Sequence, residues 1–396
     1  MCADRTLFEH PKSPPTHWSN EQLDELRLVT DEPADDLIAE FFERENAEPH
    51  ELLMTIMAHR VNRPIPTATN PESVSIPHQL LDELARRCPP PTVDPAEVRH
   101  GEQLFQGHGP EMLLGLACYS LPMAYSAANG ARVLHETGYL ENRVARRLVE
   151  TTQMVIDVMK PGGLAPGGDG VRTAHEIRLL HAAIRYLINH RDSDWDPAWG
   201  HPINQEDMAG TLMTFSYVIL DGLSKIGINI DRPAQEAYLA AWRAVGQVMG
   251  VKEELLPANM ELAQELTWFI FDRQGRGSPQ GIDLTRALLD TMQSLAPFFM
   301  KPFCSSLLRV YVEKDVADYL KVPRHLLRDS LTLGLQRAYG AIDNLLHLSP
   351  FGLWGYRLLS HFVIDILTHL GRGDHKQAAF TIPEELHAHW KRWTPG

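Results

Sequence analysis

Cysteine is scarce. Only Cys2, Cys88, Cys118 and Cys304 occur in 396 residues, and no two form a CxxC pair. The spacing indicates neither a zinc knuckle nor an iron–sulfur site, and suggests no disulfide framework. A reducing compartment follows as the expectation. The histidines show no HExxH and no facial-triad spacing, which removes the common zinc-hydrolase pattern. Positive charge is short as well: 37 Lys and Arg stand against 51 Asp and Glu, a formal charge of −14. Such a surface repels nucleic acid and anionic lipid headgroups, and suits an apolar or neutral small-molecule partner. Long apolar runs are missing. The stretch from Met112 to Ala131 lacks formal charge, yet Tyr119, Ser120, Pro122, Tyr125, Ser126 and Asn129 make it too polar to face lipid. A core helix kinked at Pro122 is expected there, and no transmembrane segment. The opening residues MCADRTLFEHPKSPPTHWS have neither a basic start with an apolar run nor a twin-arginine pair, so the expected location is the cytoplasm. Few persuasive period-two apolar runs occur, no Asn-Gly or Asp-Gly hairpin joins strand-like segments, and no repeat of about 20–50 residues is evident, which argues against a solenoid.

What is there is helical periodicity. Apolar residues make up 44% of the chain, enough for a substantial core. Residues 1–30 are polar and proline-bearing and read as an extended arm; residues 31–396 read as one all-α domain. Helices are expected over 31–45, 51–59, 79–87, 95–105 and 109–136, the last in two pieces. Others follow over 139–160, 173–190 and 208–226, with Asn204 before the third as its cap. The pattern continues over 233–250, 258–272, 284–300, 303–319, 323–346, 356–370 and 383–390. The connector PGGLAPGGDG, residues 161–170, is either a plain helix–helix link or a flap beside a pocket.

The stretch TAHEIRLLHAAIRYLINH, residues 173–190, organises the rest. Ile177, Leu180, Ile184, Leu187 and Ile188 recur at helical spacing, and offsets of three and four put Arg178, His181 and Arg185 on one stripe. A histidine so placed is a core residue bonded to a polar neighbour, or an axial ligand whose flanking arginines balance haem propionates. The preceding helix carries Arg147, Glu150, Thr151 and Met154 on one stripe. The short connector makes the two helices antiparallel neighbours that can face each other across a pocket. Alternatively, Arg147 and Glu150 form an ordinary surface ion pair.

Taken together, RRLVETTQMVIDVM, RLLHAAIRYLI and WGHPINQEDMAGTLMTFS resemble the catalytic domain shared by latex clearing proteins and MpaB-type oxygenases, DUF2236, over about residues 107–251 and more loosely beyond. The resemblance implies a globin-like helical core with one b-type haem, and cleavage of isoprenoid C=C bonds by dioxygen. By position it implies His181 as the proximal iron ligand, Arg147 and Thr151 in the haem pocket, and Arg178 and Arg185 flanking the histidine. Two departures stand out. Rubber-cleaving members carry a lysine where this chain has Glu150, and they are exported through a twin-arginine signal. Glu150 is then a candidate base for an allylic C–H, an iron ligand or the holder of a distal water. The expectation is a haem-dependent oxygenase acting on an apolar substrate. The competing readings are a haem peroxidase or hydroxylase, a haem sensor or carrier, and a helical protein without cofactor.

Overall fold

The computed structural model describes residues 9–45, 78–136, 140–190, 195–296 and 298–334. Helices begin where the sequence supplies an oxygen acceptor. Asp94, Asn204, Asp231, Asn259 and Ser278 each accept an N–H from the first turn that follows them, which satisfies one of the four unpaired donors of a helix start. In chain order the helices are α1 (Asn20–Leu26), α2 (Glu32–Glu45), α3 (His78–Arg87), α4 (Pro95–Gly115), α5 (Leu121–Ser126) and α6 (Ala128–Glu136). They continue with α7 (Leu140–Met159), α8 (Asp169–His190), α9 (Gln205–Phe215), α10 (Tyr217–Lys225) and α11 (Arg232–Met249), then α12 (Met260–Gln274), α13 (Pro279–Leu295), α14 (Cys304–Tyr311) and α15 (Lys314–Tyr319). Among the described residues the one β feature is an isolated bridge between Ala127 and Gly275. The class is all-α, as the periodicity predicts.

Two apolar clusters hold the helices together. The larger gathers α4 to α7 and α9 to α15 around Phe105, Tyr217, Leu239 and Trp242. The smaller lies between α2, α3 and one face of α8, and includes Leu37, Ile38, Leu84, Leu179 and Ala183. Thus α8 is buried on both sides, which explains its apolar composition. α4 and α11 form the most extensive helix pair. Gly101 lets them approach, since a Cβ there would lie 2.7 Å from the Ala237 carbonyl and 2.9 Å from the Ala241 Cβ.

Several boundaries differ from the sequence expectation. The arm is not wholly extended: Ser19 Oγ accepts from Gln22 N–H, and α1 buries Leu23 and Leu26. No gap separates residues 105 and 109. α4 runs through them with a kink at His108 (φ −128°, ψ 18°), next to Pro110, whose missing N–H interrupts the ladder. Pro122 is preceded by a π-helical turn, Leu116–Ser120, and the chain breaks only at Ala127. The helix expected over 208–226 is two, parted at Ser216 (φ −101°, ψ −85°). The 303–319 region likewise divides, between α14 and α15. The segments 51–59, 356–370 and 383–390 lie outside the described residues, as does the 323–346 helix beyond residue 334. No described helix is long and apolar enough to cross a membrane.

Candidate functional site

The site is built on α7 and α8. Their connector is closely packed. Lys160 pairs with Asp157 and Asp169, and Val171 N–H donates to the Gly163 carbonyl. Gly162 N–H donates to the buried Glu102, whose pKa is raised by burial against the pull of that bond and of Arg99. A Cβ on Gly170 would fall 2.6 Å from Val158 Cα. These bonds tie the link to the helices it joins and to Glu102 on α4.

The packed link sets the register of the two helices. Thr173 Oγ1 donates to Asp157 at 3.0 Å, so these residues stand opposite each other. Eight residues along α8 and eight back along α7, each about 12 Å of rise, bring His181 level with Val149 and Glu150. Glu150, Thr151, Leu180 and His181 are all half-buried, whereas Asp157 and Thr173 are buried. Burial is thus complete at the Asp157–Thr173 end and partial at the level of His181. Arg147 lies on α7, but its side chain is outside the described residues.

The arginines on the histidine's stripe turn elsewhere. Arg178 is gripped by Asp31 at 2.6 and 2.7 Å and donates to the Val248 carbonyl. Arg185 donates to Asp35 at 2.7 Å and to the Ile203 carbonyl. Burial raises the pKa of Asp35, with Arg185 opposing. Both guanidiniums are buried and bind the N-terminal end of α2 to α8. At about 100° per residue, His181 sits about 60° round from Arg178, towards the face of Ala174 and Ile177 that joins the larger core. The two arginines are held by α2, while His181 lies on the adjoining face with Ala174 and Ile177. Asp31 and Asp35 are partners that sequence reading missed, because nothing local links them to residues some 150 positions away.

The PINQED segment is also scaffolding. Asn204 caps α9. Gln205 donates to the Thr30 and Gly250 carbonyls and accepts from Lys252 N–H. Glu206, with no exposed side-chain surface, accepts from Arg27 at 3.0 Å, Arg273 at 2.8 Å and Gln274 at 3.0 Å. Asp207 shares Arg27, and burial pushes its pKa up to about 6 against that cation. Thr211 and Thr214 bond back to their own helix.

Among the described residues no three His, Cys, Asp or Glu are grouped to hold a bare metal ion. A porphyrin would supply a metal at His181 with the ligands that these residues do not group there. The donor chemistry fits: one half-buried imidazole, with the buried Ile177 one turn before it on the same helix. Cys118 and Cys304 are buried free thiols whose pKa values burial raises, that of Cys304 to about 11.

Comparison with known proteins agrees with this architecture. Latex clearing protein LCP in the closed state superposes with a TM-score of 0.66 at 21% identity, covering 87% of this chain and 91% of that one, which shows the shared fold. The rubber oxygenase of Streptomyces sp. (strain K30) is 24% identical over 192 residues, 47% of this chain and 46% of the relative. The match thus spans about half that relative's length. The sequence model described as "ER-bound oxygenase mpaB/B'/Rubber oxygenase, catalytic domain" matches residues 105–343, more than half of the chain. With α7, α8 and the PINQED clamp all inside those limits, the chain belongs to the mpaB/rubber oxygenase catalytic-domain family.

Proposed function

We propose that the protein is a haem b-dependent oxygenase that adds dioxygen across, or otherwise oxidises, a C=C bond of an apolar, isoprenoid-like small molecule in the cytoplasm. The observation that carries the reading is the register of α7 and α8. It sets a half-buried imidazole, His181, level with Val149 and Glu150, next to Thr151 along α7. Bound haem supplies the iron at which dioxygen is taken up. The chain's own residues do the rest. His181 would hold the iron through a neutral imidazole nitrogen. Arg178 and Arg185, through Asp31 and Asp35, fix the helix that carries it. Thr151, with Arg147 by the family resemblance, would line the haem pocket, and Glu150 would be the base available to an allylic C–H of the substrate as dioxygen oxidises it.

The test is an absorption spectrum, then a variant. Protein purified with its native content should show a Soret band with about one haem per chain. His181→Ala should lose the haem while keeping its helical content. Oxygen uptake on adding an olefinic substrate then marks an oxygenase. Full haem retention by His181→Ala would refute the ligand assignment, and haem without oxygen uptake would make the protein a carrier or sensor.

A further inference from the structure

One stretch of the surface is turned inside out. Residues 326–334 are helical, and at about 100° per residue Asp329 and Thr332 share the inner face. Ser306 Oγ donates to Asp329 at 2.6 Å, and Thr332 is buried. Leu326, Leu327, Leu331 and Leu333 fill the opposite arc and all are exposed, Leu327 at 89%. A surface helix normally does the reverse and turns its apolar face to the core. The turn before α14 lies alongside. Phe298 there is 89% exposed, and Phe299 next to it is exposed as well. The Arg328 guanidinium reaches the Pro302 carbonyl, 3.5 Å away, which joins the helical stretch to that turn. Single apolar residues on a surface are ordinary, but a group of six on neighbouring segments marks an interaction surface.

The rim of this patch is basic. Segments 298–309 and 321–334 hold five Lys and Arg against a single acid, Asp329, and that carboxylate is taken up by Ser306 and the His325 N–H. Lys301, Arg324 and Arg328 are exposed and form no ion pair among the described residues. The chain as a whole carries −14, which repels anionic lipid, yet within a Debye length of about 8 Å the local sign prevails. Exposed rings and leucines bordered by cations suit a protein that lies on an anionic bilayer without crossing it. Other occupants fit less well. The patch projects, whereas a site for a partner helix is a groove with walls. A two-fold contact with a second copy would set the same cations against each other.

We propose that Phe298, Phe299 and the leucine face of residues 326–334 dock the protein on an anionic lipid surface. The rings and leucines enter the headgroup region, and Lys301, Arg324 and Arg328 meet the phosphates. This deepens the oxygenase reading, because an isoprenoid-like substrate dissolves in the bilayer. The docking itself does not rest on that reading.

The test sediments the full-length protein with vesicles of phosphatidylcholine, with and without phosphatidylserine. Binding should need phosphatidylserine and should weaken as salt rises from about 0.15 M to about 1 M. Lys301→Gln with Arg324→Gln should weaken it about 30-fold, roughly fivefold per charge. Phe298→Ser with Leu327→Ser should abolish it and leave stability in urea unchanged, because both side chains already face water. In Phe298→Trp, brominated lipid in the phosphatidylserine vesicles should quench the new indole. No binding to either vesicle, equal binding to both, or binding that the variants leave intact would overturn the proposal. So would a serine variant that loses stability or splits a dimer, since the patch would then belong to another part of this chain or to a second copy. Vesicle binding without haem or oxygen uptake would leave the docking surface standing and remove the oxygenase. Oxygen uptake with an olefin in detergent, but no vesicle binding, would do the opposite.

Discussion

Mild acid should loosen α2 from the His181 helix, and His175 should be the cause. Its side chain is buried on α8 beside the Arg178–Asp31 pair. Burial first, then the Arg178 guanidinium, push its pKa down from 6.5 to about 4, with Asp31 pulling the other way. The folded value lies below the unfolded one, so the fold prefers the neutral ring. The stabilisation is complete above pH 6.5 and is lost as pH falls towards 4; below that both states are charged and the loss stops. Full protonation costs about 3 kcal/mol, and at pH 5 the loss is already about 2 kcal/mol. Urea unfolding followed by circular dichroism, at steps from pH 8 to pH 4, measures this directly. His175→Gln removes the titrating ring, so its stability should fall less steeply than wild type across the window. Parallel curves for the two proteins would refute the reasoning and assign acid sensitivity to the carboxylates instead.

Asp31→Ala should cost about 3–5 kcal/mol in the same unfolding assay, because it strands a buried guanidinium, while Asp31→Leu with Arg178→Met should recover most of that loss. Gly170→Ala should destabilise by about 1–3 kcal/mol, since its Cβ would meet the Val158 and Asp157 backbone. Gly107→Ala, on α4 with nothing within 4 Å of its new Cβ, should instead gain up to about 1 kcal/mol. Glu150→Gln should alter the visible spectrum or its pH dependence without expelling haem, and Glu150→Lys should move it towards the rubber-cleaving type. Unchanged spectra and oxygen uptake in both would remove Glu150 from the reaction.

Most helix starts were legible, because a capping oxygen or a first-turn proline is a local signal, as at Asn204 and Pro95. The break at Ser216 was not, for no proline or glycine marks it and tertiary packing decides it. The π turn at Leu116–Ser120 is likewise invisible in a pattern read at 3.6 residues per turn. At the site, spacing put Arg178, His181 and Arg185 on one stripe, and the register of α7 and α8 brings Glu150 level with the histidine. Spacing did not reveal where the arginines are held. Their partners come from α2 and its leading residue, and an ion pair between distant segments leaves only one trace in sequence, acidic residues four apart at 31 and 35.

The clamps of Arg178, Arg185 and Glu206 bear on where this protein can be cut. All three lie within residues 105–343, the stretch that similarity marks out as catalytic. Their counterions Asp31, Asp35 and Arg27 lie well before it. A fragment trimmed to the similarity limits would keep the His181 helix and carry two guanidiniums and one carboxylate into its interior with key partners gone. Each such charge costs several kcal/mol, against a total fold stability of about 5–15 kcal/mol. The edge that sequence likeness draws therefore cuts through these clamps: a chain that keeps all three begins before Arg27.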